Sequence, residues 1–233
     1  MKQSILKLTA LFAIFALMNC SKDDNGSDTI SGSLEYEVAG THQFEIAADN
    51  ITATITIIGA GGGGGGGIEH QGFLTNSTGG GGGGGAGEKI VLENISFNRD
   101  LIYSVNIGGP GLGGTINNDG TNGQNTTITE GLSTLYSASA GNRGRSNTIG
   151  EIVGGTGGLG FPAGAKGGDG DFLDISWTAP AGEGGVGGNN GSGYGTGGTG
   201  GRGTAYQLTE TLSPSNGLNG GSGYVLIEWR GKE

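Results

Sequence analysis

The chain has 233 residues, of which 58 are glycine and 4 proline, and its 21 acidic and 11 basic side chains give a formal net charge of −10. Glycine at this level without a strict collagen repeat marks either low complexity or a structure built from glycine itself. The acidic balance disfavours nucleic acid and anionic membrane as electrostatic partners, and a single cysteine, Cys20, excludes a disulfide framework and a thiolate metal site.

Lys2 and Lys7 flank the start of an apolar stretch from Leu8 to Met18, too short to span a bilayer and shaped like a secretory signal. The run Leu17-Met18-Asn19-Cys20 resembles the lipobox of bacterial lipoproteins, in which the cysteine is acylated and becomes the first mature residue. Ser21-Lys22-Asp23-Asp24 resembles the signal that carries Bacteroidota lipoproteins to the outer face of the outer membrane. The resemblance implies a signal peptide over 1–19, outer-membrane lipid as a partner through acylated Cys20, and display at the cell surface. Loss of Lys2 and Lys7 with the signal moves the net charge from −10 to −12. Residues 20–33, rich in Asp, Ser and Gly, read as an acidic flexible tether ahead of a glycine-rich β domain over 34–233. Within the tether, Asp28-Thr29-Ile30 resembles an O-glycosylation acceptor of the same bacteria.

Period-two alternation then predicts strands in chain order. Thr41 to Ile46 alternates polar and apolar side chains, and Ile51 to Ile58 places Ile51, Ala53, Ile55 and Ile57 on one face with threonines on the other. Ile90–Leu92, Leu101–Ile107, Thr126–Thr129, Ser133–Ala138 and Tyr224–Trp229 complete the set. No segment after the signal has a helical period, so the expected fold is all-β, an antiparallel sandwich or jelly-roll-like pair of sheets.

Between these strands lie the glycine tracts, with short runs of period three such as Gly182, Gly185, Gly188, Gly191 and Gly217, Gly220, Gly223. Three residues per turn is the period of a polyproline-II-type helix, which has no internal hydrogen bonds and must pair with neighbouring chains when buried. Glycine lets several such helices lie side by side, so the tracts predict a bundle of polyglycine-II helices, each ten-residue segment reaching roughly 31 Å. A flexible linker coil is the other reading of such composition. The apolar residues Leu159, Phe161, Val186, Tyr194 and Tyr206, and the strands bracketing each tract, argue against it.

The order Phe44 to Ala47, Asn50 to Gly61, polyglycine, Val105 to Gly111, an Asn/Gly/Thr stretch, glycine triplets and a closing Gly223 to Trp229 resembles the glycine-rich domain of phage tail-fibre adhesins and of the extracellular region of anaplastic lymphoma kinase and its relatives. The resemblance spans about residues 34–229 and implies a β scaffold carrying polyglycine-II helices and used for recognition. Phage adhesins read targets through loops, and the matching loops are 68–78, 116–125, 142–147 and 172–177. Their candidate contacts are Glu69, His70, Phe73, Asn118, Asp119, Arg143, Arg145, Phe172 and Trp177, toward a surface glycan or protein ligand. Phe172, Ile175 and Trp177 also fit a strand packing inward.

No nucleophile elbow, His-Glu-x-x-His or phosphate loop occurs, and the glycine runs contain every dinucleotide-type spacing without the helix that would give it meaning. A non-catalytic binding protein without cofactor is therefore expected. Asp169, Asp171 and Asp174 offer oxygens to calcium, with an exposed charged turn as the alternative. Two rival functions remain: a structural or ice-binding protein with Thr52, Thr54 and Thr56 as its surface row, and a protein of polysaccharide use. The second lacks an evident pair of carboxylates for hydrolysis.

Overall fold

A computed structural model describes residues 29–70, 76–172, 178–207 and 210–232, so Cys20 with its signal segment, Phe73, Asp174, Ile175 and Trp177 lie outside the described residues. The strands in chain order are β1 (Thr29–Tyr36), β2 (Gly40–Phe44), β3 (Asp49–Ile58), β4 (Lys89–Ile95), β5 (Tyr103–Ile107), β6 (Thr126–Glu130), β7 (Ser133–Ala138), β8 (Thr178–Ala179), β9 (Ala205–Gln207), β10 (Glu210–Leu212) and β11 (Tyr224–Lys232). The described residues contain no helix, and all strand pairs are antiparallel.

Two four-stranded sheets, ordered β1-β11-β3-β4 and β2-β5-β6-β7, share one hydrophobic core. The alternation of β3 buries Ile51, Ala53, Ile55 and Ile57 and leaves the threonines between them half-buried. Val225 and Ile227 of β11 join them, and Tyr103, Val105, Ile107 and Ile128 come from the opposing sheet. At one end the core is aromatic: Phe44 stacks on Tyr103 at 5.3 Å, and Phe97 meets both rings edge-on. β1 takes in residues 29–33, assigned to the tether from sequence, so the sandwich begins five residues earlier than the composition suggests. Burial of the Tyr36 ring between the sheets pushes its phenol up to about 12.

The glycine tracts connect the sandwich strands: 59–88 join β3 to β4, 108–125 join β5 to β6, and 139–223 join β7 to β11. Residues 59–68 continue directly from β3, and 77–88 return antiparallel beside them, Gly62 and Gly65 donating to Gly85 and Gly82 at 2.9 and 2.8 Å. The partners repeat every third residue. Gly61, Gly64 and Gly67 donate to Gly221, Leu218 and Ser215, while Gly63 and Gly66 donate to Thr121 and Asn118. On the acceptor side, Gly111 and Gly114 donate to Gly61 and Gly64, Gly198 and Gly201 to Gly62 and Gly65, and Gly141 and Gly144 to Ala60 and Gly63. The 59–68 segment is thus ringed by six others: 77–88, 108–117, 118–124, 139–146, 195–204 and 215–223.

The 77–88 segment is ringed in the same way, by 59–68, 139–146, 154–161, 162–170, 180–188 and 195–204. At this spacing the glycine positions of both segments have no room for a side chain. A Cβ on Gly64 would sit 2.2 Å from Thr199 O, and one on Gly66 1.9 Å from Thr115 O.

The outer segments expose one position in three, where Leu159, Val186 and Leu218 are found. Where a backbone N–H on the bundle flank lacks a neighbouring carbonyl, a short polar side chain accepts it. Asn219 Oδ1 takes Gly113 N–H at 2.8 Å, Asn122 Oδ1 takes Arg143 N–H at 2.9 Å, and Thr121 Oγ1 takes Leu112 N–H at 2.7 Å. At the junction with the sandwich, Tyr194 stacks on Tyr224 with ring centroids 4.3 Å apart, and their hydroxyls donate to Glu37 and Glu35. Burial first, then the bond to Glu35, raises the Tyr224 phenol; the bond to Glu37 raises that of Tyr194.

Two predictions come from this architecture. Gly198→Val puts its Cβ 2.0 Å from Leu218 O and Gly185→Val puts its own 2.2 Å from Ala165 O. Each should cost on the order of 3 kcal/mol in chemical denaturation through overpacking and broken hydrogen bonds, whereas exposed Val186→Ala should shift stability by less than about 0.5 kcal/mol. The second concerns pH. A phenol held above its ordinary value of 10.0 favours the folded state fully below that pH, and the benefit fades as pH rises toward about 12. Denaturation midpoints should therefore fall across that window, and Tyr36→Phe should flatten part of the fall.

Candidate functional site

The end of the bundle remote from the sandwich is built from the connections between glycine segments. Gly67 O accepts the Asn117 N–H (3.0 Å), Gly79 N–H reaches Glu151 O (3.1 Å), Ser77 N–H reaches Asp171 O (2.8 Å), and Thr204 N–H reaches Ile68 O (3.2 Å). The described residues 69–70, 76, 117–118, 147–152, 171–172, 178–179, 205–207 and 210–213 therefore converge on one tip. The small sheet β10-β9-β8 and an antiparallel bridge between Asn76 and Phe172 lie there too.

Buried hydroxyls pin this tip. Thr78 Oγ1 donates to Ile68 O and accepts the Thr204 N–H at 2.7 Å, and Thr204 Oγ1 accepts the His70 N–H at 3.2 Å. Ser77 Oγ contacts Pro180 O and accepts the Asp171 N–H at 2.6 Å. Ser77, Thr78 and Thr204 are 0%, 0% and 4% exposed, so their hydroxyls serve the frame. Sequence reasoning passed over all three. The available signal was a Ser-Thr pair at the exact point where a polyglycine run begins, a place where only small hydrogen-bonding side chains fit.

Several predicted contacts meet at the tip. Glu69 N–H donates to Asn117 Oδ1 at 2.7 Å, Asn117 Nδ2 returns a bond to Glu69 Oε2 at 3.2 Å, and Gly150 N–H donates to Glu69 O at 2.9 Å. Asn117 holds a left-handed φ of 64°, and Asn118 beside it donates to Thr115 Oγ1 and Ile116 O. His70 is half-buried, and neither ring nitrogen has a partner among the described residues. Phe172 is 68% exposed, which resolves its sequence-level ambiguity in favour of the surface.

The remaining candidates lie down the flank. Asp119 and Arg143 form an ion pair at 3.2 Å, and Asp119 Oδ1 also accepts the Ser146 N–H at 3.0 Å, so this pair laces two glycine segments together. Arg145 is exposed on the same segment, while its backbone links Gly82 and Thr156. Asp169 is taken up by Lys166 at 2.7 Å and by the Gly154 N–H at 2.8 Å, and the lysine bond in the first place lowers its pKa. Among the described residues no group of three or more His, Cys, Asp or Glu side chains is placed to hold a metal ion. Thr52, Thr54 and Thr56 stand beside Arg230, Glu228 and Leu226 on the outer face of the first sheet, which breaks a hydroxyl row with charge and with an apolar side chain. No protein-family model matches the chain, and no curated protein sequence matches it.

The Glu69–Asn117 link gives a graded test of how the tip is held. Asn117→Ala should cost about 2 kcal/mol, roughly half because alanine lacks the local polar side chain that lets asparagine tolerate left-handed geometry and half for the lost hydrogen bonds. Asn117→Gly should recover the first half, and both variants should speed hydrogen exchange at the Glu69 amide.

Proposed function

We propose that the chain is a non-catalytic cell-surface lipoprotein, held at the outer membrane by acylated Cys20, whose glycine segments are polyglycine-II helices forming a rigid column. The column presents its tip turns to a ligand on another surface. The period-three hydrogen bonding around two central segments supports the helical reading, since three residues per turn with all bonds going to neighbours is the signature of that helix.

One observation carries the functional reading. β1 begins at Thr29, opposite Lys232 near the end of β11, so the N-terminal strand enters the sandwich at the pole facing away from the bundle. A tether from Cys20 leads to one pole and the converged turns occupy the other. Ten residues of β3 at about 3.3 Å and ten of 59–68 at about 3.1 Å separate them by roughly 60 Å. That is a sensible geometry for holding a recognition surface clear of the membrane. Exposed Phe172, bridged to Asn76 at the end of the bundle that also carries polar Glu69, Asn118 and His70, has the mixed character of contact surfaces, where aromatic side chains supply area and polar ones orientation.

The test is made on intact cells expressing the chain. Wild type should be cleaved by added protease and should incorporate labelled palmitate, while Cys20→Ala should lose the label and leave the membrane fraction. Beads coated with the purified protein should retain other cells, and the double variant His70→Ala/Phe172→Ala should retain at least tenfold fewer at an unchanged melting temperature. Equal retention by wild type and variant sinks the tip reading, and protease resistance on intact cells sinks surface display.

A further inference from the structure

We propose that the outer face of the β1-β11-β3-β4 sheet is a second binding site, one that takes a neutral oligosaccharide. Strand register creates it. Ser31, Arg230 and Thr52 stand side by side across β1, β11 and β3, and Ser33, Glu228 and Thr54 form the next row. The direct cross-strand partners of these rows face away from the core. Asn94, at the irregular point of the β3–β4 ladder and with a left-handed φ of 58°, closes the far side. Together these residues line a groove of about 640 Å³, within the size range of small-ligand sites.

What distinguishes this groove is that its polar groups are uncommitted. None of the side chains of Ser31, Ser33, Thr52, Thr54, Glu228 and Arg230 makes a hydrogen bond or ion pair among the described residues, nor does that of Asn94. On the bundle flank the opposite holds: Asn122, Asn125, Asn216, Asn219, Thr121 and Asp119 are all spent on backbone N–H groups of the chain itself.

The composition of the groove selects the ligand class. Glu228 and Arg230 cancel in charge, so a polyanion finds one cation and one repelling carboxylate. The side chains of the two rows include no apolar anchor of the kind a peptide needs; Trp229 points to the other face, where its indole covers Gly32. Hydroxyls that both donate and accept, one carboxylate acceptor, one amide and one planar five-donor guanidinium suit a ligand that is itself a string of hydroxyls. The site lies on the sandwich, away from the tip, and does not depend on the tip reading.

Calorimetric titration of the full chain settles it. The probes are hexasaccharides of β-1,4-glucan, α-1,4-glucan and β-1,4-mannan, with hexagalacturonate and polyphosphate as charged comparisons. The expected result is saturable binding of at least one neutral hexasaccharide, weakened tenfold or more by Glu228→Ala and by Thr54→Val and unchanged by Phe172→Ala at the tip. Because these side chains have no partners among the described residues, the melting temperature should not move; should Glu228→Ala shift it, Thr54→Val and Ser33→Ala carry the comparison. Binding of charged probes alone, no saturable binding of any neutral hexasaccharide, or wild-type affinity in the groove variants would overturn the proposal.

Discussion

Backbone hydrogen bonding without secondary structure is the constraint on which the rest of this protein depends. Every N–H from residue 59 to 68 and from 77 to 88 donates to a carbonyl of a different segment. A buried N–H left without a partner costs about 1–3 kcal/mol, so no central segment is stable until its ring of neighbours is present. Hydrophobic burial contributes little to that half of the molecule. The contiguous apolar cluster lies in the sandwich, and the bundle centre buries mainly Ala60, Ile68 and Ala86 among its glycines. The two halves are thus held by different physics: area removed from water in one, hydrogen-bond complementarity and close backbone contact in the other.

This division explains the residues between the glycines. A segment in the outer ring turns one position toward the centre, where only glycine fits, and one toward solvent, where any residue fits. The asparagines, threonines and aspartates of the bundle read as a polar filler in one dimension. In three they act as acceptors for flank N–H groups that have no neighbouring strand or segment, the same service an N-cap renders to a helix. Asp119 is the clearest instance, since one carboxylate serves both an amide and the guanidinium of Arg143.

Legibility followed the same division. The all-β class and β2, β3, β4, β5, β6, β7 and β11 could be read because their alternation is dictated by a core on one face only. β1 could not, because one of its inward positions is Gly32, whose missing side chain is replaced by the indole of Trp229, with Cζ2 2.8 Å from where a Cβ would stand. A strand with a hole in its apolar pattern looks like a linker. β8, β9 and β10 are two or three residues long and exist only because the bundle brings them together. The loops at the tip could be located individually, but their convergence depends on the axial register of the glycine segments, which polyglycine does not encode locally. The pairing of Asp119 with Arg143 across 24 residues was hidden for the same reason.

The position of β11 has a consequence for how the molecule comes into being. The last strand of the chain is an inner strand of its sheet, inserted between the first strand and the third. Until residues 224–232 are available, β1 has no partner at all, and β3 has only β4. The ring around 59–68 likewise waits for 215–223. Native contacts therefore span nearly the whole chain, a topology that folds slowly and late. A growing chain of this design can pair β2, β5, β6 and β7 early, but it cannot close its first sheet or the ring around 59–68 until residues 215–232 have been made.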